Sequence, residues 1–249
     1  MTIVGIYDSG CGGFSVLNRL LESNFKGQIF YYGDTLNNPW GNKKKEELAS
    51  ILKKIAAWFK LNNVTTIISG CNTTLGVFKH ELTSIFETNV INALNNTDHH
   101  YLETAYSVLL TENSCKNNLF SKLLSKSKIQ EIACPNLAKK IEMNHIIEAI
   151  ELAKTYTQKC RYPHIILGCT HYPLIMDQLK TEFPNKIFIN PTQFFSPKLN
   201  NHGSKIQLNF KTTGNEKIFN ELIKHHVSLE EYTLNEINYL NTPYLLNQS

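Results

Sequence analysis

Thr66-Ile67-Ile68-Ser69-Gly70-Cys71-Asn72-Thr73-Thr74-Leu75 has a second version further along the chain, His164-Ile165-Ile166-Leu167-Gly168-Cys169-Thr170-His171-Tyr172-Pro173. Each is an Ile-rich apolar run that ends in Gly-Cys, followed by small polar residues and a helical pattern. Such a run reads as a buried strand. In open parallel sheets, ligands bind beyond the carboxyl ends of the strands. Both cysteines therefore fall where α/β proteins do their chemistry, once in each half of the chain.

The same alternation extends outward from these two stretches. Strand patterns occupy residues 2–7, 28–32, 65–69 and 90–94, with helical patterns at 15–22, 43–60 and 73–85 between them. The theme then repeats, with strands at 107–110, 129–133, 164–167 and 186–189 and helices at 116–124, 137–156 and 174–183. A late strand at 206–210 and a last helix at 216–226 follow. Ile- and Val-rich strands alternating with amphipathic helices specify parallel α/β architecture. The expectation is two similar α/β domains with mainly parallel sheets, related by a pseudo-twofold, with the active site in the cleft between them. The polar stretches 95–98 and 200–203 serve as crossovers. The first domain then takes residues 1–94 plus 206–249, and the second takes 95–205.

Composition narrows the function classes. With 42% hydrophobic residues in 249, the chain can bury one large core or two smaller ones. The net charge of +4 is spread out, and Lys43-Lys44-Lys45 is its only tight run. That run opens a helix and reads as a solvated face, so no nucleic-acid partner is expected. No apolar run is long enough to span a membrane. The residues after Met1 read as a strand and have no signal-peptide pattern, which implies a cytoplasmic protein with reduced thiols. The six cysteines include no Cys-x-x-Cys pair, against a zinc ribbon or redox motif.

Two matched cysteines suit one kind of reaction. Moving a proton from one face of an amino-acid α-carbon to the other needs a base on one side and an acid on the other. A thiolate and a thiol can fill those roles. Helix N-termini lower thiol pKa values, and both cysteines precede helical patterns. Asp8 and His171 are candidate proton partners. Asp8-Ser9-Gly10-Cys11-Gly12-Gly13 joins a strand to a helix and could offer backbone N–H groups to a carboxylate. It is not the dinucleotide fingerprint, and it lacks the Lys of a phosphate loop.

Four blocks resemble the glutamate racemase branch of the aspartate/glutamate racemase superfamily. They are Asp8-Ser9-Gly10-Cys11-Gly12-Gly13, Asn38-Pro39-Trp40-Gly41, Gly70-Cys71-Asn72-Thr73-Thr74 and Gly168-Cys169-Thr170-His171-Tyr172-Pro173. The resemblance implies cofactor-independent interconversion of L- and D-glutamate, with no metal, supplying D-glutamate for peptidoglycan. It also implies two α/β domains, often in a homodimer. Residue by residue, it makes Cys71 the base for D-glutamate and Cys169 the base for L-glutamate. Asp8, His171 and Glu142 assist them, and Ser9, Trp40, Gly41, Asn72, Thr73, Thr170 and His171 fall on substrate-binding positions along with Asp8.

The chain departs from that pattern in three places. Trp40 stands where the family usually has Tyr. Cys11 replaces a small or β-branched residue, and residues 110–114 follow the family's Gly-Thr-rich turn only loosely. Three other readings remain open here: racemisation of aspartate or another amino acid, a binding protein that kept the fold (inhibition of DNA gyrase is reported for some members), and a metal site of Cys71, Cys169 and His171. Cys115, Cys134 and Cys160 read as small buried hydrophobes, and Cys11 is balanced between that role and a part in the site. His80, His145 and His225 read as filler.

Overall fold

The computed structural model describes residues 3–23, 25–78, 80–94, 105–196, 199, 205–228 and the backbone of 237–239. The expected crossovers at 95–98 and 200–203, and the tail after Leu240, lie outside these residues.

The first half runs β1 (Ile3–Asp8), α1 (Phe14–Glu22), β2 (Gly27–Gly33), α2 (Lys45–Leu61), β3 (Thr66–Ser69), α3 (Asn72–Phe78), α4 (Leu82–Phe86) and β4 (Val90–Asn92). The second runs β5 (Ala105–Leu110), α5 (Glu112–Lys116), α6 (Leu119–Leu123), β6 (Lys128–Ala133), α7 (Leu137–Glu142), α8 (Ile146–Thr157), β7 (His164–Leu167), α9 (Met176–Glu182) and β8 (Ile187–Ile189). The chain closes with β9 (Ile206–Thr212), α10 (Glu216–His226) and β10 (Ile237–Tyr239).

Among the described residues the strands β1 to β10 pair in parallel and form two sheets, ordered β10-β9-β2-β1-β3-β4 and β6-β5-β7-β8. The β4-β3-β1-β2 stretch of the first sheet has the strand order of the whole second sheet, β8-β7-β5-β6. The two strands that lead into Cys71 and Cys169, β3 and β7, hold equivalent places. Central strands covered on both faces read as near-continuous apolar runs, as β1 does up to Asp8 at its carboxyl end.

Helices cover both faces of the first sheet. On one side Phe14, Leu17 and Leu20 of α1 meet Phe219, Leu222 and Ile223 of α10 over Ile6 and Tyr31. On the other, α2 lays Leu48, Leu52, Ile55 and Phe59 on Tyr7 and Ile67. Those α2 positions recur at helical spacing and form a single apolar stripe. At its start the Glu47 carboxylate accepts the Lys44 N–H at 2.9 Å, and acidic residues in the first turn suit the helix dipole. The second sheet lies between α7, α8 and α9 on one side and α6 on the other.

Three expected helices prove to be broken. The 137–156 pattern splits at Asn144, which adopts a left-handed φ of 57°, and the 116–124 pattern splits at Asn118, with φ of 50°. The 73–85 pattern becomes α3 and α4. Hydrophobic spacing continues across each break, so periodicity alone does not reveal it. Among the described residues no helix is long and apolar enough to cross a membrane.

Gly5 sits tightly against the end of α2 and the turn after it, since a Cβ there would lie 2.9 Å from both Phe59 and Val64. Alanine normally gains over glycine in a strand through backbone entropy. Here the clash decides the sign. Gly5→Ala is expected to lower unfolding free energy by about 1–3 kcal/mol, as overpacking does. Urea denaturation checks this, and a stabilised variant would show that α2 moves off the sheet at little cost.

Candidate active site

The carboxyl ends of both sheets face one small cavity. Cys71 and Cys169 line it together, with Ser9, Trp40, Gly41, Asn72, Thr73 and Thr170. Its volume is ≈ 10 Å³, about the room needed for one water. Asp8, His171 and Glu142 sit behind this lining and are buried. Every residue singled out from the sequence is thus in the lining or directly behind it. Thr111 also lines the cavity and was not anticipated. Its position just past β5 was the available signal, because the rule about strand ends applies to every strand.

Hydrogen bonds cross the seam between the two sheets at several points. Asn72 Nδ2 donates to Gly168 O at 3.1 Å, and Thr73 Oγ1 pairs with Thr111 Oγ1 at 3.0 Å. Thr170 Oγ1 donates to Asp8 Oδ2 at 3.0 Å. The Cys11 N–H donates to Glu142 Oε2 at 2.8 Å. Glu142 Oε2 also meets His171 Nε2 at 2.8 Å. With Nε2 committed to Glu142, Nδ1 faces Cys169 Sγ at 3.9 Å. The carboxylate thereby fixes which ring nitrogen serves the thiol.

The glycine-rich turn after β1 does receive a carboxylate, but it is the protein's own Glu142. A Cβ on Gly10 would fall 1.9 Å from Glu142 Oε2, so only glycine allows this approach. Asp8 does not cap α1. Instead its Oδ1 accepts the Gly10 N–H at 3.0 Å, while Gly13 caps α1 without a side-chain bond.

The electrostatics correct one expectation. Cys71 does sit at the start of α3, and the Thr73 and Thr74 N–H groups pull its pKa down. Burial, reinforced by Asp8 and Cys169, outweighs them and pushes the thiol up to about 12. Cys169 is followed by a 3-10 turn at Tyr172–Ile175 before α9, so it lacks the direct helix start that was expected. No hydrogen bond joins Asp8 to Cys71 among the described residues. Burial lowers the pKa of His171, but contacts with Cys11, Cys169 and Glu142 raise it well above the ordinary value. The imidazolium form is favoured. Asp8 rises to about 6 through burial, partly offset by His171 and Thr170.

No protein-family model matches the chain. A glutamate racemase of Carboxydothermus hydrogenoformans is 31% identical over 243 residues, spanning 88% of this chain and 89% of its own length. The chain belongs to the glutamate racemase family. Solved glutamate racemases share its fold: one from Bacillus anthracis superposes with a TM-score of 0.78 at 20% identity, covering 97% of this chain and 98% of that one. A glutamate racemase from Francisella tularensis, solved with D-glutamate, gives 0.72 at 19% identity over 91% and 95%.

Against the family pattern, Trp40 brings an indole where a phenol is usual. Its Nε1–H is spent on Asp34 Oδ2 at 3.0 Å, and its ring packs near Tyr7 with centroids 6.3 Å apart. The indole therefore forms a wall of the cavity while its polar atom points at Asp34. The metal grouping considered from the sequence, Cys71 with Cys169 and His171, is not the one the fold assembles. Among the described residues the cluster is Cys11, Glu142 and His171.

Asp8 holds its proton more tightly when folded. Its contribution to stability is present below about 3.8 and is lost as pH rises through about 6. At pH 7 the ionised group costs the fold up to about 3 kcal/mol. Asp8→Asn is therefore expected to raise unfolding free energy at pH 7, with the gain vanishing near pH 4. Urea denaturation at both pH values checks it. A gain that is absent at pH 7, or equal at both, would contradict the desolvation account.

Proposed function

We propose that the chain interconverts L- and D-glutamate without a cofactor, as an isomerase that supplies D-glutamate for peptidoglycan in the cytoplasm. The observation that carries this reading is that Cys71 and Cys169, just past the ends of equivalent strands of two similar sheets, line one small cavity. A solved relative with D-glutamate bound supports a small-molecule substrate of this class. The domain division that fits is residues 1–94 plus 206–249 against 95–205, with the homodimer usual for the family.

In this reading the substrate α-carbon lies between the sulfurs. Cys71, neutral because it is buried, is the acid of the resting enzyme. Cys169 is then the base and draws the α-proton of L-glutamate, with His171 beside it as the positive partner. For D-glutamate the roles reverse, and Cys71 needs Asp8 nearby to take part in its proton exchange. Negative charge developing on the substrate carboxylate meets donors from Ser9, Asn72, Thr73 and Thr170, and Trp40 and Gly41 bound the pocket. A cavity holding about one water cannot hold glutamate, so binding must part the two sheets before they close over it.

Cys71→Ala and Cys169→Ala are each expected to lower racemisation in both directions by about 10²–10⁴-fold, because each direction uses both groups. In heavy water, early product should carry deuterium at Cα while remaining substrate keeps hydrogen. Chiral chromatography with mass spectrometry reads both results, and product that retained its original hydrogen would exclude two separate bases.

Glutamate is expected to outpace aspartate by about 10–200-fold, the range one methylene confers. The rate should fall as pH drops through about 6, where Asp8 gains its proton. Comparable rates on the two amino acids would overturn the specificity and leave the mechanism standing.

A further inference from the structure

The Cys11 side chain has no part in the proposed proton transfer, yet it lies fully buried against groups that do. Its sulfur, a Glu142 oxygen and a His171 ring nitrogen all stand within 4.8 Å of one another. The Cys11 N–H and the His171 Nε2 both meet Glu142 at Oε2. This is a mixed sulfur, nitrogen and oxygen donor set on three separate segments, already gathered by the fold. We propose that Cys11, Glu142 and His171 form a binding site for a borderline-soft divalent cation of the Zn²⁺ class, which switches the enzyme off.

The donor types select the ion. Magnesium and calcium prefer oxygen ligands, whereas Zn²⁺ takes thiolate, imidazole and carboxylate together. Bonds of about 2.0–2.3 Å to a tetrahedral ion place donors roughly 3.3–3.8 Å apart. The cluster needs only a small contraction to reach that geometry. Three protein ligands leave a fourth position for water. The site is not a cofactor site, because coordination takes His171 away from Cys169 and Glu142 away from the imidazole. The metal and the proton relay compete for the same two side chains.

Other features carry less. The 340 Å³ surface hollow beside Lys60 and Glu87 and the 230 Å³ hollow near Leu75 and Lys122 lack convergent polar groups that would define a ligand. The exposed Leu36, Leu61 and Ile147 have nothing to identify an occupant.

The test is spectroscopic and does not depend on racemase activity, so it can fail independently of the function proposed above. The full chain is stripped with a chelator, desalted and titrated with Co²⁺. Binding through Cys11 should give a thiolate-to-cobalt charge-transfer band that saturates at one equivalent and is erased by Zn²⁺. Cys11→Ser should lose the band and weaken Zn²⁺ binding by about 100-fold or more, the upper end of what losing even an outer-shell partner costs. Cys71→Ala and Cys169→Ala should keep the band. Racemisation by the wild-type chain should fall with bound Zn²⁺ and return with chelator.

Circular dichroism establishes that Cys11→Ser is folded. If it is not, Glu142→Gln replaces it with the expectation of weakened binding. A wild-type chain without the band at one equivalent overturns the proposal on its own. So does a band that survives Cys11→Ser or disappears in Cys169→Ala.

Discussion

One buried carboxylate governs the arrangement of this molecule. Glu142 ends α7 of the second sheet's helical layer, and its partners are the Cys11 N–H from the first sheet's leading turn and His171 from the loop after β7. A desolvated carboxylate without partners costs several kcal/mol, so any docking of the two sheets that failed to supply them would be strongly disfavoured. Asp8 makes the reciprocal demand, since one of its oxygens is satisfied by Thr170 from the opposite side. Each half buries a charge that the other half satisfies. Hydrophobic contact between the halves has no such directionality, so these bonds fix which residues meet at the cavity.

The same burial sets the chemistry. A helix start can draw a thiol toward ionisation, and two N–H groups of α3 act on Cys71 in that sense. Removing the thiol from water acts the other way and wins. The site therefore favours a neutral thiol at Cys71 and a charged imidazole at His171, whose Nδ1 faces Cys169. Opposite proton inventories on the two sides are what a one-way proton transfer needs at its outset.

Much of the fold was legible because strands such as β3, β4, β7 and β8 are short Ile-rich runs, and residues 164–167 and 216–226 agree with the observed elements to the residue. Helix breaks were not legible. Asn118 and Asn144 reverse the chain through left-handed φ values while apolar spacing continues past them. The cavity lining was readable from strand ends and from the resemblance. The contact of Cys11 with Glu142 was not, because 131 residues separate them and neither local pattern names the other. The sequence showed that the leading turn suited a carboxylate, but it could not show that the carboxylate was internal.

The place of β9 has a consequence for synthesis. It pairs with β2 along its whole length, with Gln28 opposite Gln207, so the first sheet draws a strand from far along the chain. The second sheet uses only residues 105–189, all adjacent in sequence. During translation β2 waits with an open edge while the entire second sheet is made, and such edges invite pairing with other chains. The later-made half can therefore mature on the ribosome before the earlier-made half is complete, and the window for misassembly closes only when residues 206–212 leave the exit tunnel.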